Sequence, residues 1–98
     1  ASVTGNVIDG AAHAGLFLGW GPYLRNVVAA NNVIRNARHG IIVSVAPGAG
    51  TASITGNMIT ESGEAAIAGF AWGDMKERDL AANAGDYPQL TIAGNRVE

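Results

Sequence analysis

Four stretches of this chain carry one short pattern, and a pattern repeated at near-constant spacing restricts a fold more tightly than composition does. The stretches are Ala1-Ser2-Val3-Thr4-Gly5-Asn6-Val7-Ile8-Asp9, Val27-Val28-Ala29-Ala30-Asn31-Asn32-Val33-Ile34-Arg35, Ala52-Ser53-Ile54-Thr55-Gly56-Asn57-Met58-Ile59-Thr60 and Leu90-Thr91-Ile92-Ala93-Gly94-Asn95-Arg96-Val97-Glu98. Their shared asparagines, at 6, 32, 57 and 95, are 26, 25 and 38 residues apart. Two near-equal periods and one enlarged period indicate three repeats with an insertion in the last. A second block keeps phase with the first: Gly15-Leu16-Phe17-Leu18, Gly40-Ile41-Ile42-Val43 and Ala65-Ala66-Ile67-Ala68 follow their asparagines at nearly the same interval.

Within each first stretch apolar and polar residues alternate, the period of a strand with one buried face. The inward set is Ala1 and Val3, Val27 and Ala29, Ala52 and Ile54, Leu90 and Ile92; Ser2, Thr4, Ser53, Thr55 and Thr91 point outward. Past the asparagine, Ile8, Ile34, Ile59 and Val97 turn back inside. The residue before each asparagine is Gly5, Asn31, Gly56 or Gly94. Glycine and asparagine are the two residues that best tolerate positive φ, so this position predicts a left-handed backbone corner. Asn6, Asn32, Asn57 and Asn95, stacked at one corner, form a ladder of amide hydrogen bonds. Stacked repeats then build continuous aliphatic columns with one rung every ~4.8 Å.

Composition agrees. Hydrophobic residues make up 48% of the chain but aromatics only 6%, and fourteen glycines are about twice the usual share of roughly 7%. Small aliphatic residues and frequent glycine suit stacked strands and tight turns. The six Lys and Arg are scattered and the net charge is −2, which gives no footprint for nucleic acid. No cysteine is present, so disulfides and thiolate metal sites are excluded. No apolar run is long enough for a membrane-spanning helix.

The motif Gly-Asn-x-Ile, followed by Gly-Ile-x-Val or Gly-Leu-x-Leu, resembles the right-handed parallel β-helix repeat of pectate-lyase-like enzymes, mannuronan epimerases, periplasmic copper-maturation proteins and many exported proteins. The Ala/Gly-rich texture is also similar to that of twin-arginine-exported bacterial repeat proteins of unknown function. The resemblance covers the chain apart from roughly residues 73–89. It implies an all-β solenoid of about three coils plus a partial fourth, a single segment over residues 1–98 of a longer parent, exported to the periplasm or beyond. It also implies a structural or ligand-binding segment associated with polysaccharide. The alternatives are part of a polysaccharide lyase, epimerase or hydrolase with catalytic residues partly outside this stretch, and a self-assembly module. Two or more carboxylates within reach of each other and of a basic residue distinguish the enzyme. The lyases' acidic calcium cluster has no counterpart: the matching outward column reads Asp9, Arg35, Thr60 and Glu98, and calcium wants six to eight oxygen ligands. No metal site and no cofactor are expected, and the catalytic residues stay unassigned.

Several side chains stand out beyond the repeat. Trp20, Tyr23, Trp72 and Tyr87 fall in loops after the third strand of each repeat, where aromatic faces either stack on sugars or cap the apolar columns. Phe17, Ile42 and Ile67 form an outward apolar stripe, expected to self-associate unless the insertion covers it. The ends of the stack are a second expected self-association surface. Asp9 and Arg35 occupy equivalent places on adjacent repeats and predict a cross-strand ion pair. His13 and His39 precede the third strand; paired imidazoles bind metals or move protons, but no carboxylate recurs beside both, and they read as exposed loop residues. In the inserted loop over 73–89, Asp74 and Glu77 have capping-box spacing, and a short helix is expected over about 74–84, with Gly85 to end it.

Overall fold

The structure is a computed structural model describing residues 2–98, so the inward placement of Ala1 lies outside the described residues. The first two repeats divide into three strands each because a corner interrupts the extended chain twice. The first repeat holds β1 (Ser2–Thr4), β2 (Val7–Asp9) and β3 (Ala14–Leu18); the second holds β4 (Val27–Ala30), β5 (Val33–Arg35) and β6 (His39–Ser44). The third holds β7 (Ala52–Thr55), β8 (Met58–Thr60), β9 (Ala65–Ala71) and an additional β10 (Asp74–Glu77), and the last holds β11 (Leu90–Ala93) and β12 (Arg96–Val97). Equivalent strands pair with one another, giving three four-stranded sheets in the orders β1-β4-β7-β11, β2-β5-β8-β12 and β3-β6-β9-β10. Every pairing is parallel except β9 with β10.

The register aligns like with like. Val3 pairs with Ala29, Ala29 with Ile54 and Ile54 with Ile92. Ile8, Ile34, Ile59 and Val97 form the column of the second sheet, and Leu16, Ile41 and Ile67 that of the third. One core joins these columns from all three sheets, with Ala29, Ile34, Ile41, Val43, Ile54 and Ile59 fully buried. Val97 holds its place in register but stays half exposed at the end of its sheet.

The left-handed corner forms where the Gly/Asn substitution predicts it. Gly5, Asn31, Gly56 and Gly94 have φ of 69°, 58°, 65° and 66°. The amides beside them connect the repeats. Asn57 Oδ1 accepts from both the backbone N–H and the Nδ2 of Asn32, each at 3.0 Å, while Asn57 Nδ2 donates to Ala29 O at 3.0 Å and to Asn95 Oδ1 at 2.9 Å. The same pattern links Asn6 to Asn32, and Asn32 Nδ2 returns a bond to Val3 O. Asn32 and Asn57 are buried and fully partnered, so the polar ladder sits against the core without an orphaned group. A second left-handed corner follows the next strand, at Gly10, Asn36 and Glu61; sequence patterning missed it because glutamate is not a left-handed signature.

Two expectations are corrected. The insertion is not helical over 74–84. Asp74–Glu77 pairs antiparallel with β9, Asp74 opposite Ala71 and Met75 opposite Phe70, and the only helical turn nearby is a 3-10 turn at Ala84–Asp86. The Asp74/Glu77 spacing therefore caps nothing; Glu77 instead accepts from Asp79 N–H and from Asn83 Nδ2. The free edge of β9 and burial of Met75 against Phe70 outweigh a helix preference worth a few tenths of a kcal/mol per residue. Leu80, fully buried, anchors the rest of the loop in the core. The second correction concerns Ile67. It lies in the inward column opposite Ile41, and the outward row reads Phe17, Ile42 and Ala68. A one-residue slip in a strand exchanges its faces, and stacking Ile67 on Ile41 keeps the large aliphatic side chain inside.

Replacing Asn57 by alanine strands the Asn32 N–H and amide together with Ala29 O, and urea unfolding is expected to show a loss of about 3 kcal/mol or more. Asn6→Ala, at the exposed end of the ladder, is expected to lose about 1 kcal/mol or less.

Candidate functional site

The outward face of the third sheet carries the side chains with chemistry. On this face Phe70 packs in one buried cluster with Ile42 and the small side chains of Ala65 and Ala68. Phe70 meets Phe17 at 6.4 Å, His13 at 6.3 Å and His39 at 5.4 Å between ring centroids, all edge to face. The expected stripe of Phe17, Ile42 and Ile67 is thereby reduced to one exposed member: Ile42 is covered within the chain, Ile67 faces the core, and Phe17 is 42% exposed.

From Phe17 the exposed aromatic surface continues. Trp20 lies 5.9 Å away and 47% exposed, and Trp72 meets Trp20 edge to face at 6.0 Å and is 49% exposed. Trp20 follows β3 through left-handed Gly19, and Trp72 occupies the β9–β10 turn with φ 56°. The Trp72 ring packs on Gly21, where a Cβ would come within 2.4 Å of it; only glycine admits that approach. The first and third repeats thus combine to hold two tryptophans side by side. Of the other two aromatic candidates, Tyr23 is 75% exposed but shares no ring contact among the described residues. Tyr87 packs against the main core instead, and burial there raises its pKa above the usual 10.0.

At the other end of the face lies a polar group that sequence reading did not assemble. His39 is buried, not an exposed loop residue. Its Nε2 is 3.2 Å from Glu64 Oε2, and the same oxygen accepts from Arg38 Nε at 3.1 Å. Glu64 comes from the following repeat, which is why no carboxylate near His39 in sequence announces it. Its counterpart in the preceding repeat is Arg38, since the next residue, Ala65, pairs with His39, and Glu64 N–H donates to Arg38 O. Burial lowers the His39 pKa below 6.5, outweighing the opposing pull of Glu64; the Arg38 hydrogen bond is the main cause lowering the Glu64 pKa below 4.5. The His13 ring stands 5.5 Å from that of His39 and nearly perpendicular to it.

Asp9 and Arg35 form the expected cross-strand pair at 3.4 Å, and Asn36 adds a 2.7 Å hydrogen bond to Asp9. Both partners are half exposed, so the pair contributes about 1 kcal/mol at most. No group of three or more His, Asp or Glu side chains able to hold a metal occurs among the described residues. The surface grooves among the described residues include one of about 620 Å³ lined by Glu64, Arg78, Asp79 and Val97 and one of about 410 Å³ lined by Thr51, Ser53 and Gln89. No helix is long and apolar enough to cross a membrane among the described residues. No family model, no curated protein and no solved structure matches the chain.

His39 and Glu64 make stability fall with acid in two steps. A lowered folded-state pKa means the unfolded chain binds protons first, so the His39 contribution is complete above 6.5 and declines as pH falls below it. The Glu64 contribution declines in turn below 4.5. Urea midpoints measured across this range are expected to drop in both windows, and His39→Gln is expected to flatten the upper one.

Proposed function

We propose that the chain is a segment of a right-handed parallel β-helix from an exported bacterial protein, and that it binds polysaccharide through Phe17, Trp20 and Trp72. The solenoid reading is supported by equivalent strands of successive repeats pairing in parallel in three sheets, with left-handed corners at matching positions. Its place in an exported protein rests on the resemblance of the repeat. The binding reading rests on one observation: three contiguous rings, each between 42% and 49% exposed, on a sheet face whose remaining aromatic residue, Phe70, is covered. Exposed rings held at fixed spacing by strands and a tight turn offer flat apolar faces of the kind that sugar rings stack on, at little cost in side-chain entropy.

Binding is favoured over catalysis by the charged groups. Glu64 is the carboxylate in contact with Arg38 and His39, and the second carboxylate of the adjoining groove, Asp79, has one oxygen bonded to the Ala82 N–H, whereas acid–base cleavage of a glycosidic bond ordinarily needs two free carboxyl groups. Of the outward stripe, Phe17 stays exposed while Ile42 and Ile67 are buried.

Trp20 and Trp72 are the only tryptophans in the sequence, so intrinsic fluorescence reports on this surface directly. Titration with a panel of neutral and acidic oligosaccharides is expected to shift the emission, and Trp72→Ala is expected to weaken binding about 3- to 10-fold. The reading is overturned if no oligosaccharide binds, or if the one that binds does so equally well to Trp20→Ala and Trp72→Ala.

A further inference from the structure

We infer that the strip of Phe17, Trp20 and Trp72 takes an uncharged glucan whose chain turns from one sugar to the next, and not an acidic or a crystalline polysaccharide. The inference rests on the polysaccharide reading and narrows it to a substrate class. Two observations carry it: the angles between the rings and the charges around them.

Neighbouring rings of the strip are not parallel. The planes of Phe17 and Trp20 are inclined at 48°, and those of Trp20 and Trp72 at 79°. A crystalline polysaccharide presents one flat plane, so rings at these angles cannot lie on it together. A straight, ribbon-like chain meets the same limit. A chain that rotates between successive sugars brings a pyranose face to a second ring. The angles are held by the backbone: Gly19 and Trp72 have φ of 77° and 56°, and the Trp72 ring is seated on Gly21. Glucose units keep their ring hydroxyls equatorial, which leaves apolar C–H faces for stacking. At the far end the exposed His13 ring adjoins Phe17 at 6.1 Å, and an imidazole there offers hydrogen bonds to sugar hydroxyls.

An acidic polysaccharide calls for free cations, arginine above all. Every arginine in this chain is engaged. Arg25, in the loop after Trp20, donates to the carbonyls of Leu24 at 2.7 Å and Gly48 at 3.1 Å and to that of Pro22. Arg35 and Arg96 pair with Asp9 and Glu98 on the second sheet. Arg38 and Arg78 both bond to Glu64, on the far side of Phe70 from the strip. Lys76 on β10 is exposed, but so is Asp74, which lies closer to Trp72 in the chain. A chain of uronates would therefore meet a like charge beside Trp72 with no arginine to offset it, and like-charge contact selects against that partner.

The test is fluorescence titration of the full chain near neutral pH with hexasaccharides that separate charge from shape. Maltohexaose and laminarihexaose are neutral glucans that turn, cellohexaose is a neutral glucan that runs straight, and hexagalacturonate is acidic. Retention on microcrystalline cellulose is measured alongside. At least one turning glucan is expected to bind, with an affinity that changes less than about twofold between low and high salt. Cellohexaose and hexagalacturonate are expected to bind at least about tenfold more weakly, and cellulose to retain nothing. Trp20→Ala and Trp72→Ala are each expected to weaken the turning glucan about 3- to 10-fold. Trp20→Ala removes an exposed ring and keeps the test decisive if Trp72→Ala disturbs the seat on Gly21. The inference is overturned, with polysaccharide binding itself intact, if hexagalacturonate or cellohexaose binds as tightly as either turning glucan, if cellulose retains the chain, or if binding falls steeply with salt. If no sugar binds, both readings fail together.

Discussion

The stacked amides of Asn6, Asn32, Asn57 and Asn95 are the interaction on which the rest of the molecule depends. Each sits beside a left-handed corner, and each carboxamide oxygen after the first accepts both the backbone N–H and the side-chain amide of the asparagine in the preceding repeat. This fixes the vertical register of one repeat on the next. Register matters more in a stack of strands than anywhere else, because a displacement of one residue would exchange the buried and exposed faces of every strand beyond it. With the corners locked, the Ile8–Ile34–Ile59 and Leu16–Ile41–Ile67 columns pack into one core whose fully buried members are all aliphatic.

The outward face of the third sheet obeys a different logic. Alanines at 65 and 68 leave a shallow floor, and Phe70 fills it. That ring packs with Ile42, touches both histidines and borders Phe17, so it separates a polar group at one end from an open aromatic strip at the other. Met75, brought over by the β9–β10 hairpin, packs against the same cluster. The hairpin therefore has two consequences: it completes the outer apolar cluster through Met75 and places Trp72 in the turn beside Trp20.

What could be read in advance follows the range of the interactions involved. The Asn6/Asn32/Asn57/Asn95 ladder, the corner before it, the columns of the first two sheets and the Asp9–Arg35 pair were legible because each repeats, and repetition averages out local ambiguity. The third strand was read one residue out of phase at Ile67, because its residues are apolar on both faces and alternation gives no signal there. The insertion occurs once. Its Asp74-to-Glu77 spacing carries a helical signal, but the open edge of β9, which decided the outcome, belongs to another part of the chain.

The amino-acid sequence by itself determined the all-β class, the period of the repeat, the left-handed corners at the asparagines and the identity of most inward residues. These rest on backbone preferences and two-residue alternation, which act over a few positions. Only the tertiary structure decided that Glu64 would meet His39 and Arg38, that Phe70 would cover Ile42, and that Trp20 and Trp72 would touch. Each of those contacts joins residues from different repeats, and their geometry is set by strand pairing and side-chain packing that no local pattern encodes.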